Sequence, residues 1–371
     1  MISLTLTGFR NLLTMRLFAL VFLFVNVVAL LFIPITPDEI SRQALAAEWA
    51  GGGQYNFSWP PMLMLINACV KLIGGGAHMT RALFLAIELY LFWRLYTRVV
   101  FLPGFLALFV IPYFALVLST ASPQGLMVAL LPLLVCAIRQ KRFLEIYFIS
   151  LALFLINPTC ILILLGAALV AGVLDRREIG WTYLATVLLA LISTLMVAYV
   201  VFLNVGSFMP TLTSNGPLNL FLGNNPDAMS YRGVAEGTEW MVFSSGQYLA
   251  SVLNFLHEQP YQFAENYLFK LIFWFAPFDY FRSGIGGGFQ YILFCYVALV
   301  QLLCYSLFFK KIRCARSVDL YIVLCVCILA WLAYSIFFVK MRFRIPFDVL
   351  IFLAAYCDIK PIQISIGQNK F

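Results

Sequence analysis

Apolar runs of about twenty residues recur along this chain, and the dense basic blocks fall between every second pair of them. A helix of that length matches the hydrocarbon thickness of a bilayer, and Lys and Arg gather in cytoplasmic loops. Arg10 and Arg16 precede a run over 17–35, and Arg94 and Arg98 close one over 82–100. Arg139-Gln140-Lys141-Arg142, Asp175-Arg176-Arg177-Glu178 and Lys310–Arg316 follow later runs. With Arg10 and Arg16 inside, all of these blocks fall on one face of an alternating path. The expectation is an all-α transmembrane bundle of about ten spans, forming one domain over 1–371.

Composition narrows the function classes. A chain of 371 residues that is 63% hydrophobic and 11% charged is not a soluble domain. Its net charge of +8 sits in the loop blocks, so it sets topology and does not point to a nucleic-acid partner. Nine cysteines without a C-x-x-C pair argue against a zinc or disulfide framework, and two histidines exclude a His-rich metal site. No P-loop or dinucleotide fingerprint is present. The run over 17–35 has the layout of a signal peptide but no small-x-small cleavage site follows, so it is expected to remain as a membrane helix.

The stretch after that run carries the most chemistry. Thr36 reads as an N-cap, Pro37 as the first helical residue, and Glu39 closes a capping box with Thr36. Gly51–Gly53 end the helix, and Ile40, Ala44 and Ala47 share a face that suits the membrane surface. Trp59-Pro60-Pro61 opens a second helix, Met62 to Ile73, too short to span and so interfacial or re-entrant. Residues 35–81 thus form a first outer loop with Asp38 and Glu39 where the chain leaves the bilayer. A cap accounts for Glu39, and a favourable charge at a helix start accounts for Asp38, if neither does more.

Further along, Asn157-Pro158 breaks the run over 143–174 and suggests a helical hairpin. Residues 204–285 form a large outer loop with turn signals at Asn215-Gly216-Pro217 and Gly223-Asn224-Asn225-Pro226. That loop includes an amphipathic piece, Tyr248 to Leu256, and a semi-apolar helix around Phe263 to Phe275. Lys340, Arg342 and Arg344 form a basic cluster on the outer side, against the positive-inside trend. Such cations bind an anion, pair with acids, or snorkel to head groups.

Outer acids near the start and outer cations near the end suggest one cavity at the membrane surface. A carboxylate can take a proton from an attacking hydroxyl, and guanidinium groups can hold a phosphate as charge develops on it. Together they fit transfer of a group from a lipid phosphate to a hydroxyl.

At these residues the chain resembles a known family. Pro37-Asp38-Glu39, Arg42, Gly51, Trp59-Pro60-Pro61, Leu72-Ile73-Gly74 and Arg81 look like the first outer loop of the GT-C membrane glycosyltransferases. The group most resembled is that of dolichyl-phosphate-mannose mannosyltransferases and aminoarabinose transferases. Leu222–Pro226, Gln259-Pro260, Lys270, Phe275-Ala276-Pro277 and Arg342–Pro346 are similar to it as well.

The resemblance implies a polyprenyl-phosphate sugar donor, a lipid- or glycan-linked hydroxyl acceptor, inversion at the sugar, and a place among membrane lipids. The active site would face the periplasm in a bacterial inner membrane, or the lumen of the endoplasmic reticulum. It further implies Asp38, with Glu39, as catalytic carboxylates. Arg342, Arg344, Lys340 and Lys270 would hold the donor phosphate, and Arg42, Trp59, Asn224 and Asn225 the substrates. Many relatives carry another acid between the third and fourth helices, where this chain reads Ser119–Gln124 with none. A divalent metal is therefore left open and no ligands are assigned to it. A flippase for lipid-linked saccharides also needs outer cations, but it should line its path through the bilayer with polar residues. A polymerase or ligase of lipid-linked saccharides is the third alternative.

Overall fold

The computed structural model describes residues 35–53, 59–101, 121–174, 179–205, 215–225, 245–275, 288–315, 317–337 and 341–359, with four single positions earlier. The expected third span near 104–119 and nearly all of the first lie outside the described residues. Thirteen helices and one pair of short strands make up what is described. The all-α expectation holds with that one small addition.

Two short helices come first, α1 (Pro37–Ala50) and α2 (Pro61–Leu72). The capping box is present in full: Glu39 N–H reaches Thr36 Oγ at 3.3 Å, and Thr36 N–H reaches Glu39 Oε2 at 2.8 Å. The apolar face of α1 turns outward, with Ile40, Ala44 and Ala47 exposed, while Glu39, Arg42, Gln43 and Ala46 are buried. An inverted helix of this kind needs its buried polar groups matched by partners. Asn67 of α2 and Thr80 of α3 (Ala77–Tyr96) supply two of them: Gln43 Nε2 donates to Asn67 Oδ1 and to Thr80 Oγ, each at 2.6 Å.

The centre of the bundle is α4 (Pro123–Arg139), buried on every side from Gln124 to Ile138. Helices α3, α5 (Phe143–Ile156) and α13 (Met341–Tyr356) pack around it. The break at Asn157-Pro158 separates α5 from α6 (Thr159–Leu174) where it was expected. The two do not form a closely packed hairpin: α5 lies mainly against α7 (Ile179–Val205), and α6 packs against both α7 and the helix over Val318–Ile336. Among the described residues, the part of α7 from Gly180 to Val200, with mean hydropathy 2.1, is the one helix long and apolar enough to cross a membrane. Several shorter apolar helices accompany it. One face of α7 is buried through small residues such as Ala190, Thr194 and Ala198, and the other exposes Leu189, Ile192 and Met196. This is compatible with a membrane protein.

The large loop contains α8 (Asn215–Gly223), α9 (Ser245–Glu258) and α10 (Pro260–Phe273) among its described residues. Asn215-Gly216-Pro217 does not make a free turn but opens α8, whereas Gly223-Asn224-Asn225 closes it. Then follow α11 (Gly288–Ala315), α12 (Val318–Ile336) and α13. Strand β1 (Val99–Phe101) pairs antiparallel with β2 (Cys357–Ile359), joining the end of α3 to the end of α13.

Helix direction sorts the charges onto two ends. At one end Glu145 receives Arg94 at 3.2 Å, Arg98 at 2.7 Å and Arg142 at 3.1 Å, with Arg139 and Lys311 near by in the walls of one cavity. The starts of α1, α3, α4 and α13 and the ends of α5, α8, α10 and α12 meet at the opposite end. Glu88 lies well inside α3, fully buried, and its carboxyl oxygens have no hydrogen-bond partner.

Helices α6 and α7 meet backbone to backbone. A Cβ on Gly180 would collide with the Ala171 carbonyl oxygen and stand 2.6 Å from Gly172 Cα. Small residues permit this approach, and a side chain there must push the helices apart. Gly180→Leu should lower stability by about 1–3 kcal/mol, the usual range for overpacking. Gly216→Ala, where a Cβ meets nothing within 4 Å, should be nearly silent. Thermal unfolding of the purified chain in detergent, followed by size exclusion, compares them; equal midpoints would exclude the close contact.

Candidate functional site

The first loop is fixed to the bundle through Glu39. Arg81, at the start of α3, donates Nε to Glu39 Oε1 and Nη2 to Oε2, both at 2.7 Å. Thr36 adds its amide and hydroxyl to Oε2, and the Ala121 amide approaches Oε1 at 3.3 Å. Five donors thus meet a group with about four lone-pair sites. Glu39 and Arg81 are 3% and 2% exposed, so each needs the other to offset its desolvation. Burial alone would raise the Glu39 carboxyl; Arg81, with Thr36, outweighs it and holds the group down at about 2. Such a carboxylate is a poor proton acceptor near neutral pH, and its geometry suits positioning.

Asp38 sits one residue earlier in the first turn of α1 and is half-buried. The Glu39–Arg81 pair therefore sets the place of its backbone. Arg42, one turn on, donates Nη2 to the Ala121 carbonyl at 2.6 Å and lies 4.9 Å over the ring of Trp59. Stacking of this type stabilises a guanidinium in partly dry surroundings. The loop that lacks the expected acid thus contributes backbone: Ala121 offers its N–H to Glu39 and its C=O to Arg42.

The expected cations of the later segments are engaged by the protein itself. Lys270 is fully buried in α10. Its Nζ donates to Gly223 O at 3.0 Å, Asn224 Oδ1 at 2.8 Å and Phe337 O at 2.9 Å, with Ile336 O at 3.4 Å. Asn224 Nδ2 reaches Leu220 O and Ile336 O as well, and Asn225 Nδ2 caps Phe221 O. Lys270 and Asn224 thus tie together the C-terminal ends of α8 and α12, where carbonyl dipoles favour a cation. Burial pulls the Lys270 ammonium down to about 7. In this arrangement Lys270, Asn224 and Asn225 hold the loop together.

Arg344 is buried too. Its Nε donates to Asp348 Oδ2 at 2.8 Å, four residues on, and its Nη1 to the Trp274 carbonyl. Gln301 Nε2 and Tyr305 OH of α11 donate to Asp348 Oδ2 and Oδ1 at 3.1 and 2.5 Å. Around this network Trp274 stacks on Tyr334, and Tyr334 on Phe343. Tyr334 OH accepts from Asn157 Nδ2 at 2.6 Å, linking the helix break to the same end. Lys340 and the Arg342 side chain lie outside the described residues. Among the described residues no group of three His, Cys, Asp or Glu converges as a metal site.

The structure therefore brings Asp38, Glu39, Arg42 and Trp59 together with Arg81. It places Lys270, Asn224, Asn225 and Arg344 in a second group at the same end of the bundle. The Arg81 pairing and the Gln43–Asn67–Thr80 network were not read from the sequence. The Arg344–Asp348 pair had a visible signal in its helical spacing.

Compared with protein-family models, curated proteins and solved structures, the chain matches none.

Gln at position 39 would preserve the capping box but strand Arg81. Glu39→Gln and Arg81→Gln should each cost about 3–5 kcal/mol, and the double variant with Met at both positions should recover much of that loss. The wild-type carboxylate has a folded pKa below its ordinary 4.5, so its contribution is present above 4.5 and disappears as pH falls toward about 2. Hydrogen exchange in peptides covering 35–53 should accelerate across that window in the wild type and not in the double Met variant. A wild type indifferent to acid would refute the pairing.

Proposed function

We propose that this chain is a multi-pass membrane glycosyltransferase of GT-C type. On this reading about ten spans cross the membrane, and a sugar moves from a polyprenyl-phosphate donor to a hydroxyl acceptor on the non-cytoplasmic face. The observation that supports it most is the gathering of the Asp38 loop, Arg42, Arg81 and the N-terminal turn of α13 at one end of the bundle. The principal basic blocks occupy the other end, which the charge rule assigns to the cytoplasm. Of the residues that carry the resemblance, Glu39, Arg42, Arg81, Asn224, Lys270 and Arg344 lie at the first end.

In the proposed reaction Asp38 accepts the proton of the acceptor hydroxyl as its oxygen attacks the anomeric carbon. The bond from that carbon to the phosphate oxygen breaks with inversion, and polyprenyl phosphate leaves with the electron pair. Glu39 and Arg81 are positioning residues that fix the start of α1. Lys340 and Arg342 are assigned to the donor phosphate. Arg344, already held by Asp348 and Trp274, positions the turn that carries Arg342. The polar path that a flippase requires gains no support among the described residues: Asp348 is paired with Arg344, and Glu88 is fully buried with no hydrogen-bond partner.

Sidedness can be read without any substrate. Tyr261 in α10 is 91% exposed, so Tyr261→Cys, in a background lacking native cysteines, should react with an impermeant thiol reagent from outside intact cells. Lys141→Cys at the basic end should react only after the membrane is opened. The reverse pattern would invert the whole assignment.

Asp38→Asn tests the chemistry. The amide keeps the size and can still accept hydrogen bonds at the helix start, while a general base contributes about 10²–10⁴ in rate. Product formation from a polyprenyl-phosphate sugar should fall by that factor in a variant that stays monodisperse. Full activity in Asp38→Asn would reject Asp38 as the base.

A further inference from the structure

Along the buried side of α3 the charges are paired, with one exception. Arg81 holds Glu39 near the start of the helix, and Arg98, just past its end, holds Glu145. Between them, near the middle of twenty residues, Glu88 is 0% exposed and neither carboxyl oxygen has a hydrogen-bond partner. Buried polar groups in folded proteins are almost always satisfied, so this one calls for a ligand. The residues one turn away on its face, Phe84, Leu85, Leu91 and Phe92, are all apolar. Leu85 and Phe92 pack in one core cluster with Val128, Ala129 and Leu133 of α4. No titratable side chain except Cys136 occurs in α4 from Pro123 to Ile138. On the other elements around this core the ions are engaged or distant. Asp348 of α13 is held by Arg344, and Glu145 of α5 by three arginines. The basic residues of α11, Lys310, Lys311 and Arg313, lie in its last turns. Helices α1 and α2 meet α3 near its start, where Asp38, Arg42, Lys71 and the exposed His78 stand.

A lone buried carboxyl restricts what it binds. A metal cation takes several oxygen ligands, and among the described residues no group of three His, Cys, Asp or Glu converges. A proton needs a single oxygen. It also removes the charge, and an unpaired carboxylate is the form that dry surroundings tolerate least. We infer that Glu88 is a proton-binding site, and that the bound proton keeps α3 seated against α4. When α3 leaves its seat and water enters, the O–H bond breaks, its electron pair stays on the carboxylate, and the proton passes to water. Reseating the helix reverses each step. The same helix carries Thr80 and Arg81, which hold Gln43 and Glu39, so release of the proton loosens α1 as well. The inference rests on burial and partners alone. It goes beyond the sugar-transfer reading, and either stands or falls without the other.

The proton is read directly by infrared spectroscopy of the full chain purified in detergent at neutral pH. Exposed carboxyls are ionised there, so they contribute no acid carbonyl band. The wild type should show such a band at the high-frequency edge that marks an acid without a hydrogen bond, shifted down in heavy water. Glu88→Gln should lack it, and so should Glu88→Leu, which removes the polar atoms altogether and serves if the amide does not fold. Hydrogen exchange then reads the seat. Rates in peptides covering 82–93, corrected by an unfolded peptide at the same pH, report local opening. In the wild type protection should be present at neutral pH and lost as the solution is made alkaline, because the proton leaves. In the folded variant it should be indifferent to pH. A wild type without an acid carbonyl band at neutral pH would overturn the proton site, and needs no variant. The same alkaline loss of protection in wild type and variant would overturn the link between the proton and the seat of α3.

Discussion

The ion pair between Glu39 and Arg81 is what the first loop rests on. Forty-two residues separate the partners, both are almost completely buried, and the bidentate geometry satisfies each one. Removing two charges from water is expensive, and their attraction returns that cost only when the remaining donors and acceptors are matched too. Thr36 and Ala121 do the matching here. The consequence is specificity more than net stability: α1 can seat on the bundle in one orientation, polar face inward, and in no other without stranding a charge.

That orientation explains what was legible in the sequence and what was not. The cap at Thr36, the stop at Gly51 and the break at Asn157 are local signals, written within four residues of where they act, and they read correctly. The face of α1 was also recognisable, since Ile40, Ala44 and Ala47 do form its exposed side. What a single sequence does not carry is the partner of a buried charge. Arg81 stood in plain view, but nothing in its neighbourhood names Glu39. For the same reason the sequence does not show that Lys270 reaches two helix ends or that Arg344 reaches Asp348. Asp348 lies one helical turn from Arg344, so that pairing could have been anticipated from spacing alone.

Cations that secure backbone carbonyls have a particular merit at this end of the bundle. Four helices finish there, at the ends of α5, α8, α10 and α12, and each leaves carbonyl oxygens without partners inside the helix. Lys270 serves two of these termini at once, and Arg344 serves the segment just after α10 through Trp274. The aromatic stack of Trp274, Tyr334 and Phe343 covers the junction.

The small strand pair at the basic end bears on the order of assembly. Val99 pairs with Ile359, so its partner emerges from the ribosome long after α3 has been made. Leu350, Leu353 and Ala354 of α13 close the cavity from the same late segment. Contacts of such long sequence separation form late, because chain closure must precede them. Until then α3 and α4 must be held by neighbours already synthesised, with the seat for α13 vacant. Among the described residues α13 is therefore the keystone of the basic end, and a nascent chain halted before it would present an open flank to proteases.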